Sequence, residues 1–379
     1  MRTLLRLILA FAAIVAVLAV AIRLSFGGGQ RLEDRTGAPL LPGSSLETVV
    51  DLDYPPGNIA VSSTGRVFFT LHPDGNPPAK VLELVDGKPV PYPSAEMQKP
   101  GSEPHFQSIL SIRIDRQGRL WILDYADFGR GQPRILAFDL KTNQLVHRYD
   151  FPSQVAGLLS MLNDLQISPD GKMIYIAETS PILQRPAIIA YDVERQRSRR
   201  LLDRHPSVMS ENYVIQAPGR DMVVYGLYTL RIAVDSIALD TRGEWLYYGP
   251  VTGSRLYRIR VADLNDESLS AADLGAKVED FAPKTLSDGL AMDSADNIYL
   301  SDMEHSAIVR LDQERRLMSL LKDPRLRWPD GFGWGPGGWL YVTCSALQHV
   351  LFVSSERMHA NAPYQIFRFK PGASGIPGH

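Results

Sequence analysis

Between residues 46 and 370 short apolar runs alternate with polar turns, and the alternation itself repeats. One pattern occurs six times: apolar-x-apolar, a polar turn usually holding Gly, then a strand-like apolar run with an aromatic. The copies are NIAVSSTGRVFFTLH at Asn58, SIRIDRQGRLWILDY at Ser111, DLQISPDGKMIYIAE at Asp164, SIALDTRGEWLYYGP at Ser236, GLAMDSADNIYLSDM at Gly289 and GFGWGPGGWLYVTCS at Gly331. Their starts are separated by 53, 53, 72, 53 and 42 residues. Two tightly turned strands roughly every fifty residues, with further strands such as PRILAFDL and AIIAYDV behind them, predict four-stranded propeller blades. The fold class is therefore all-β, a six-bladed β-propeller over residues 46–370 with a tail at 371–379. The sixth repeat is short of outer strands, so YQIFRFK from Tyr364 and LETVVDLD from Leu46 are expected to complete it and latch the two ends of the chain, because an open toroid would expose sheet edges. The long gap after the third repeat predicts an inserted loop or hairpin over one face.

Residues 1–29 break this pattern. Leu7 to Ile22 is an uninterrupted apolar run behind Arg2 and Arg6, the layout of a secretory signal. Sixteen helical residues cover about 24 Å, short of a hydrocarbon core of roughly 30 Å. Cleavage after Ala19-Val20-Ala21, or retention as an anchor followed by the Gly27–Gly29 linker, both fit. Either way the propeller is expected in the periplasm or outside the cell, touching membrane only through its N-terminal segment.

Composition narrows the partners. Forty Lys and Arg against 42 Asp and Glu leave a net charge of −2, which gives no electrostatic footprint for nucleic acid. A single cysteine, Cys344, excludes an intrachain disulfide and any multi-cysteine metal centre, and is read as a small core side chain. The basic run Arg195, Arg197, Arg199, Arg200 and Arg204 is read as a solvated edge. Trp328, Trp334 and Trp339 are read as packing between blades.

Propeller geometry then directs attention to one mouth of the channel. The innermost strand of each blade starts there, and the second strand returns to it. Residues just before the first strands are Gly57, Leu110, Asn163, Asp235, Asp288 and Asp330. Just after the second strands come His72, Asp124, Glu178, Asp302 and Cys344, with Glu304 and His305 beyond. Three carboxylates and an amide converging on one axis repel one another unless they are protonated or bridged by a cation, and an all-oxygen donor set suits Ca²⁺. The competing account is that Asn and Asp in this position cap turns. His72 and His305 are candidate general bases near neutral pH.

The stretch from RVFFTLHPDGNPPAKVLELVDGKPVPYPS through LSIRIDRQGRLWILDYA, ILAFDLKTNQLVHRYDFPSQV, DSIALDTRGEWLYYGPVTGSRLYRI and SDGLAMDSADNIYLSD to RWPDGFGWGPGGWLYVTCSALQ resembles the yellow and major royal jelly protein family. The resemblance implies a six-bladed propeller of secreted type, with wider kinship to the gluconolactonase and senescence-marker group of metal-dependent lactonases. Insect members carry paired cysteines that are missing here, and the Arg-rich N-terminus looks bacterial. Functions in the resembled family are mixed, including storage or ligand binding and dopachrome tautomerisation. LNDLQIS and SDGLAMD resemble the Asn-bearing and Asp-bearing metal segments of the lactonases, which implies Asn163 and Asp288 as ligands, with Asp330 and Asp235 as further candidates. In a lactonase version the ion polarises the carbonyl while Asp235 or Asp288 activates water. The first-blade glutamate of that group has no counterpart, since Gly57 occupies its phase; Glu178 is the candidate substitute. The alternatives are a tautomerase, or a non-catalytic propeller that holds a small-molecule ligand or serves as a scaffold.

Overall fold

The computed structural model describes residues 2–101 and 103–378, so Met1 and His379, the outer ends of the two terminal segments, lie outside the described residues. Six four-stranded antiparallel sheets form the body. Their innermost strands are Pro56–Val61, Ile109–Ile114, Leu162–Ile167, Val234–Leu239, Ser287–Met292 and Pro329–Trp334. Each packs against the innermost strand of the next blade, and Pro329–Trp334 packs against Pro56–Val61, which closes the ring. Hence the sheets have buried inner faces all round, and the core divides into clusters lying between adjacent blades, such as Tyr175, Ile188, Val234 and Tyr248 between blades 3 and 4.

The tight turns explain the polar spacers of the repeat. Asp115 Oδ1 accepts from the backbone N–H groups of Gln117 and Arg119 at 3.0 and 2.8 Å, and Gly118 takes the left-handed conformation (φ +80°) that ends the turn. Asp240 and Asp293 hold the equivalent turns of blades 4 and 5 in the same way.

Blade 6 is built from both ends of the chain. Its strand order is Glu47–Leu52, Tyr364–Phe369, Leu340–Cys344, Pro329–Trp334, with Glu47 opposite Arg368 and Leu52 opposite Tyr364. Beyond this strand the tail folds under the hub. Gly378 accepts from Ile114 N of blade 2 and donates to Trp334 O of blade 6, each at 3.1 Å, while Gly375 lies against the Trp334 indole. The tail thus crosses the channel end opposite the mouth.

The insertion between blades 3 and 4 forms two small hairpins, Gln216–Ala217 with Arg220–Asp221 and Val223–Val224 with Tyr228–Thr229. The N-terminal helix, Arg2–Phe26, projects from the body. Its segment Thr3–Phe26 is long and apolar enough to cross a membrane and has no buried residue, a composition that signal sequences share.

Candidate functional site

All six innermost strands carry a β-bulge at the same phase, between Pro56 and Ile59, Ile109 and Ser111, Leu162 and Leu165, Val234 and Ile237, Ser287 and Leu290, and Pro329 and Phe332. A bulge inserts an unpaired residue and re-aims its side chain. Here the repeated irregularity delivers Asn163, Asp235, Asp288 and Asp330 to one central cavity of about 180 Å³, which His72 also lines. Asp235 and Asp288 are buried, and Asp330 and Asn163 are partly open.

The carboxylates are not turn caps. Trp328 Nε1 donates to Asp288 Oδ2 at 2.6 Å, and Ser345 supports Asp330. Among the described residues no backbone N–H of their own turns is bonded to Asp235, Asp288 or Asp330. Burial and the neighbouring Asp288, Asp330 and Asp164 hold the Asp235 carboxyl well above the usual range. Burial and Asp288 do the same to Asp330. Asp288 rises to about 6, again chiefly through burial, with the Trp328 bond and Lys284 pulling it back. Lys284, buried beside the blade 5 strand, is pushed down to about 7 by burial. Burial also lowers the pKa of His72, against the pull of Asp74.

Below this acidic layer lies a fourth carboxylate, Asp164, already compensated. Arg113 Nη2 contacts both its oxygens at 3.2 Å, and Ser111 Oγ donates to Oδ1 at 2.8 Å. Arg113 Nη1 reaches Asn58 Oδ1 at 2.9 Å and Phe332 O at 3.2 Å. One guanidinium therefore ties blades 1, 2, 3 and 6 across the hub. Its sequence signal was available: other repeats place Ala60, Gln166, Ala238, Ala291 or Gly333 at the Arg113 phase, so a charge there is an exception. The upper wall is apolar, with Leu230 and Ile232 from the insertion, Leu347, Leu351 and Phe352 from blade 6, and Phe128.

Four other candidates are carried elsewhere. Asp124 accepts from the backbone N–H groups of Gln107, Ser108 and Ala126 and faces Arg134 at 3.4 Å, fastening the chain as it enters blade 2. Glu178 takes the Ser160 hydroxyl at 2.9 Å and pairs with Arg200. This pairing leaves Arg200 only partly exposed within the basic run read as solvated, and it leaves Glu178 outside the central cavity. Asp302 accepts from Glu304 N and His305 N at 3.0 and 2.9 Å. His305 is held between Asp302 and Asp34, which raises its pKa. None of these four lines the cavity. Trp328, read as packing alone, also donates to Asp288. Trp334 does pack between blades, edge-on to Tyr299, whereas Trp339 lies under Arg368 and Lys370 of its own blade. Cys344 is buried and its thiol pKa is raised by that burial.

Gly57 has a steric reason. A Cβ there would lie 2.7 Å from Thr70 Oγ1. That hydroxyl accepts from Asn58 N at 2.8 Å and donates to Leu110 O at 3.0 Å, so it is fixed in place.

For a metal, the donor chemistry is hard oxygen only: carboxylates of Asp235, Asp288 and Asp330 and the amide of Asn163. Excess negative charge, and a carboxylate at Asp235 that accepts no hydrogen bond among the described residues, suit a cation. Among the described residues, however, no three Asp, Glu, His or Cys side chains are gathered around one metal position.

Solved structures share this fold. A gluconolactonase from Xanthomonas campestris superposes with a TM-score of 0.56 at 13% identity, over 90% of this chain and 97% of that one. A calcium-binding protein, regucalcin, from Agrobacterium tumefaciens gives 0.54 at 14% identity, over 87% and 95%. Identity this low carries the fold alone. Among curated sequences, major royal jelly protein 7 of Apis mellifera is 28% identical over 181 residues, 45% of this chain and 38% of that protein. Major royal jelly protein 1 of the same bee is 27% identical over 210 residues, 51% and 46% respectively. The matches thus span less than half the length of these relatives. Residues 107–325 match the family of major royal jelly proteins, a stretch that includes the bulges of Asn163, Asp235 and Asp288, and the chain belongs to that family.

Proposed function

We propose that this chain is an exported propeller that binds a small molecule in its central cavity and hydrolyses a lactone there with the help of a divalent cation, Ca²⁺ in the first instance. The observation that carries the reading is that Asp235, Asp288 and Asp330 line one central cavity in which the lining guanidinium, Arg113, is already engaged by Asp164. Such a set favours whatever brings positive charge to it. Asn163, Asp288 and Asp330 would hold the ion, which when bound supplies Lewis-acid polarisation of a carbonyl oxygen. Among the described residues no hydrogen bond to the Asp235 carboxylate is seen, and it is the carboxylate left to take a proton from water. The Trp328 indole positions Asp288 by fixing Oδ2. The apolar wall of Leu230, Ile232 and Leu351 excludes water and takes the hydrocarbon part of the ligand.

The solved gluconolactonase and calcium-binding neighbours support this reading at the level of fold. A second reading, ligand binding without turnover, is favoured by one observation: Thr70 closes the space at Gly57, where the lactonase pattern has a ligand carboxylate. In a tautomerase variant His72, buried against the cavity, moves the proton.

Calorimetry with CaCl₂ and a panel of lactones and dopachrome, with and without chelator, tests these readings. Chelator-sensitive lactone turnover is the expected result, and Asp288→Ala should weaken Ca²⁺ binding at least tenfold, about 1.4 kcal/mol. A parent protein that binds no divalent ion overturns the metal reading. Tight ligand binding without turnover selects the binding protein.

A further inference from the structure

The connections at the cavity mouth are those between second and third strands and those between blades. Five large apolar side chains stand on them, 46% to 80% exposed: Leu158 between blades 2 and 3, Ile182 and Leu183 within blade 3, Tyr225 on the second inserted hairpin, and Phe352 within blade 6. Phe352 also lines the cavity, so this apolar surface runs into the site. Isolated exposed apolar residues are ordinary, and Leu40 and the outer-hairpin residues Val85, Val90, Leu145 and Val146 are of that kind, but five gathered on the loops around one opening mark an interaction surface.

The N-terminal helix leaves from the same place. Phe26 lies against Tyr228 of the second hairpin with ring centroids 6.2 Å apart, and a Cβ on Gly27 would stand 2.4 Å from Leu227 O. Gln30 is already fixed to the body, donating to Asn212 O at 2.8 Å and accepting from Val214 N at 2.9 Å. Only Gly27, Gly28 and Gly29 separate the helix from that anchor point, a reach of about 10 Å. A bilayer crossed by Thr3–Phe26 therefore cannot stand far from the inserted hairpins. Arg23, at the helix end, and the exposed Arg31 flank this junction at the level where cationic side chains meet lipid headgroups.

We propose that the mouth face docks on a lipid bilayer: the retained helix holds it there, and Leu158, Ile182, Leu183, Tyr225 and Phe352 enter the membrane interface. The cavity then opens toward the lipid boundary, and its ligands are amphiphiles with an apolar body and a polar head that reaches the carboxylates. This last consequence rests on the cavity being the binding site; the docking does not.

The test uses the full chain in phosphatidylcholine–phosphatidylglycerol vesicles, carrying Ile182→Cys, Tyr225→Cys or Phe352→Cys singly, each labelled with a polarity-sensitive dye. Val85→Cys and Leu145→Cys, on the outer hairpins of blades 1 and 2, are the controls, and the unsubstituted chain with its buried Cys344 reports background labelling. Lipids carrying a quencher at the headgroup–acyl boundary should quench the mouth-face labels at least twofold more than the controls. Melting temperatures near that of the parent show that the labelled chains are folded. Equal quenching of mouth-face and control positions overturns docking, as does N-terminal sequencing that finds the exported protein cut after Ala21. Labels that are shielded in native membranes yet water-exposed in pure lipid vesicles assign the surface to a protein partner and also overturn it. Docking that holds while no small molecule binds the cavity leaves the surface intact and removes the functional reading instead.

Discussion

Replacing Arg113 by Met keeps most of the side-chain volume and removes the charge that spans the hub. Arg113 and Asp164 have side-chain exposures of 2% and 7%, and two contacts of 3.2 Å join them. The substitution also takes a donor from Asn58 Oδ1 and Phe332 O. Asp164 would be left below Asp235, Asp288 and Asp330 with no guanidinium beside it. Breaking a buried pair by removing one partner costs about 3–5 kcal/mol, because the surviving charge stays desolvated. With an unfolding entropy of about 2.1 cal/mol/K per residue, some 325 propeller residues give about 0.7 kcal/mol/K, so the melting temperature should fall by about 4–7 °C. Asp164→Asn in the Arg113→Met background should recover most of that loss, because the orphaned charge is gone. Thermal and urea unfolding of the parent, both single variants and the double variant measure the coupling, expected to be at least about 2 kcal/mol. A single variant within about 1 kcal/mol of the parent, with coupling below about 0.5 kcal/mol, would refute the view that this pair organises the hub.

The remaining predictions concern the carboxylates, the glycine beneath them and the ring closure. The Asp288 pKa is raised to about 6 by burial, so its contribution is intact below the ordinary carboxylate range near 4 and is lost as pH rises through 6. Without divalent ions the parent should therefore lose stability relative to Asp288→Asn between pH 4 and 7.5, on the order of 3 kcal/mol from a shift of about two units; a pH-independent difference in melting temperature contradicts this, and added Ca²⁺ should reverse the loss in the parent. Gly57→Ala forces a Cβ to within 2.7 Å of Thr70 Oγ1 and should cost about 1–3 kcal/mol in urea unfolding, whereas unchanged stability would show that the hydroxyl yields freely. Deleting Leu46–Asp53 exposes the edge of Tyr364–Phe369 and removes the buried Leu46, Val50 and Leu52, so the loss should be on the order of 5 kcal/mol; a truncated chain as stable as the parent would place closure elsewhere.

Much of the architecture was legible because a blade is a local object. Each repeat encodes two adjacent strands and their turn within about fifteen residues, so Asp115, Gly118 and their counterparts announce the hairpins without reference to the rest of the fold. Six copies in constant phase then imply a ring, and the short sixth copy implies strands borrowed from both ends, the arrangement seen in Glu47–Leu52 and Tyr364–Phe369. Equal phase likewise groups Asn163, Asp235, Asp288 and Asp330. What sequence phase could not decide is where a side chain turns once its strand has ended. Asp124, Glu178 and Asp302 share a repeat position close to the mouth, yet each is drawn aside by donors from neighbouring loops or by an arginine distant in sequence. The reach of Arg113 across the hub, the Trp328 indole on Asp288, the Thr70 hydroxyl on Leu110 O and the C-terminal tail beneath the channel are contacts between blades or between chain ends. They depend on the curvature of the closed ring, which brings distant segments within hydrogen-bond range. The bulge shared by all six inner strands joins the two levels: its phase is periodic in sequence, but the directions in which it sends the carboxylates exist only once six blades surround one axis.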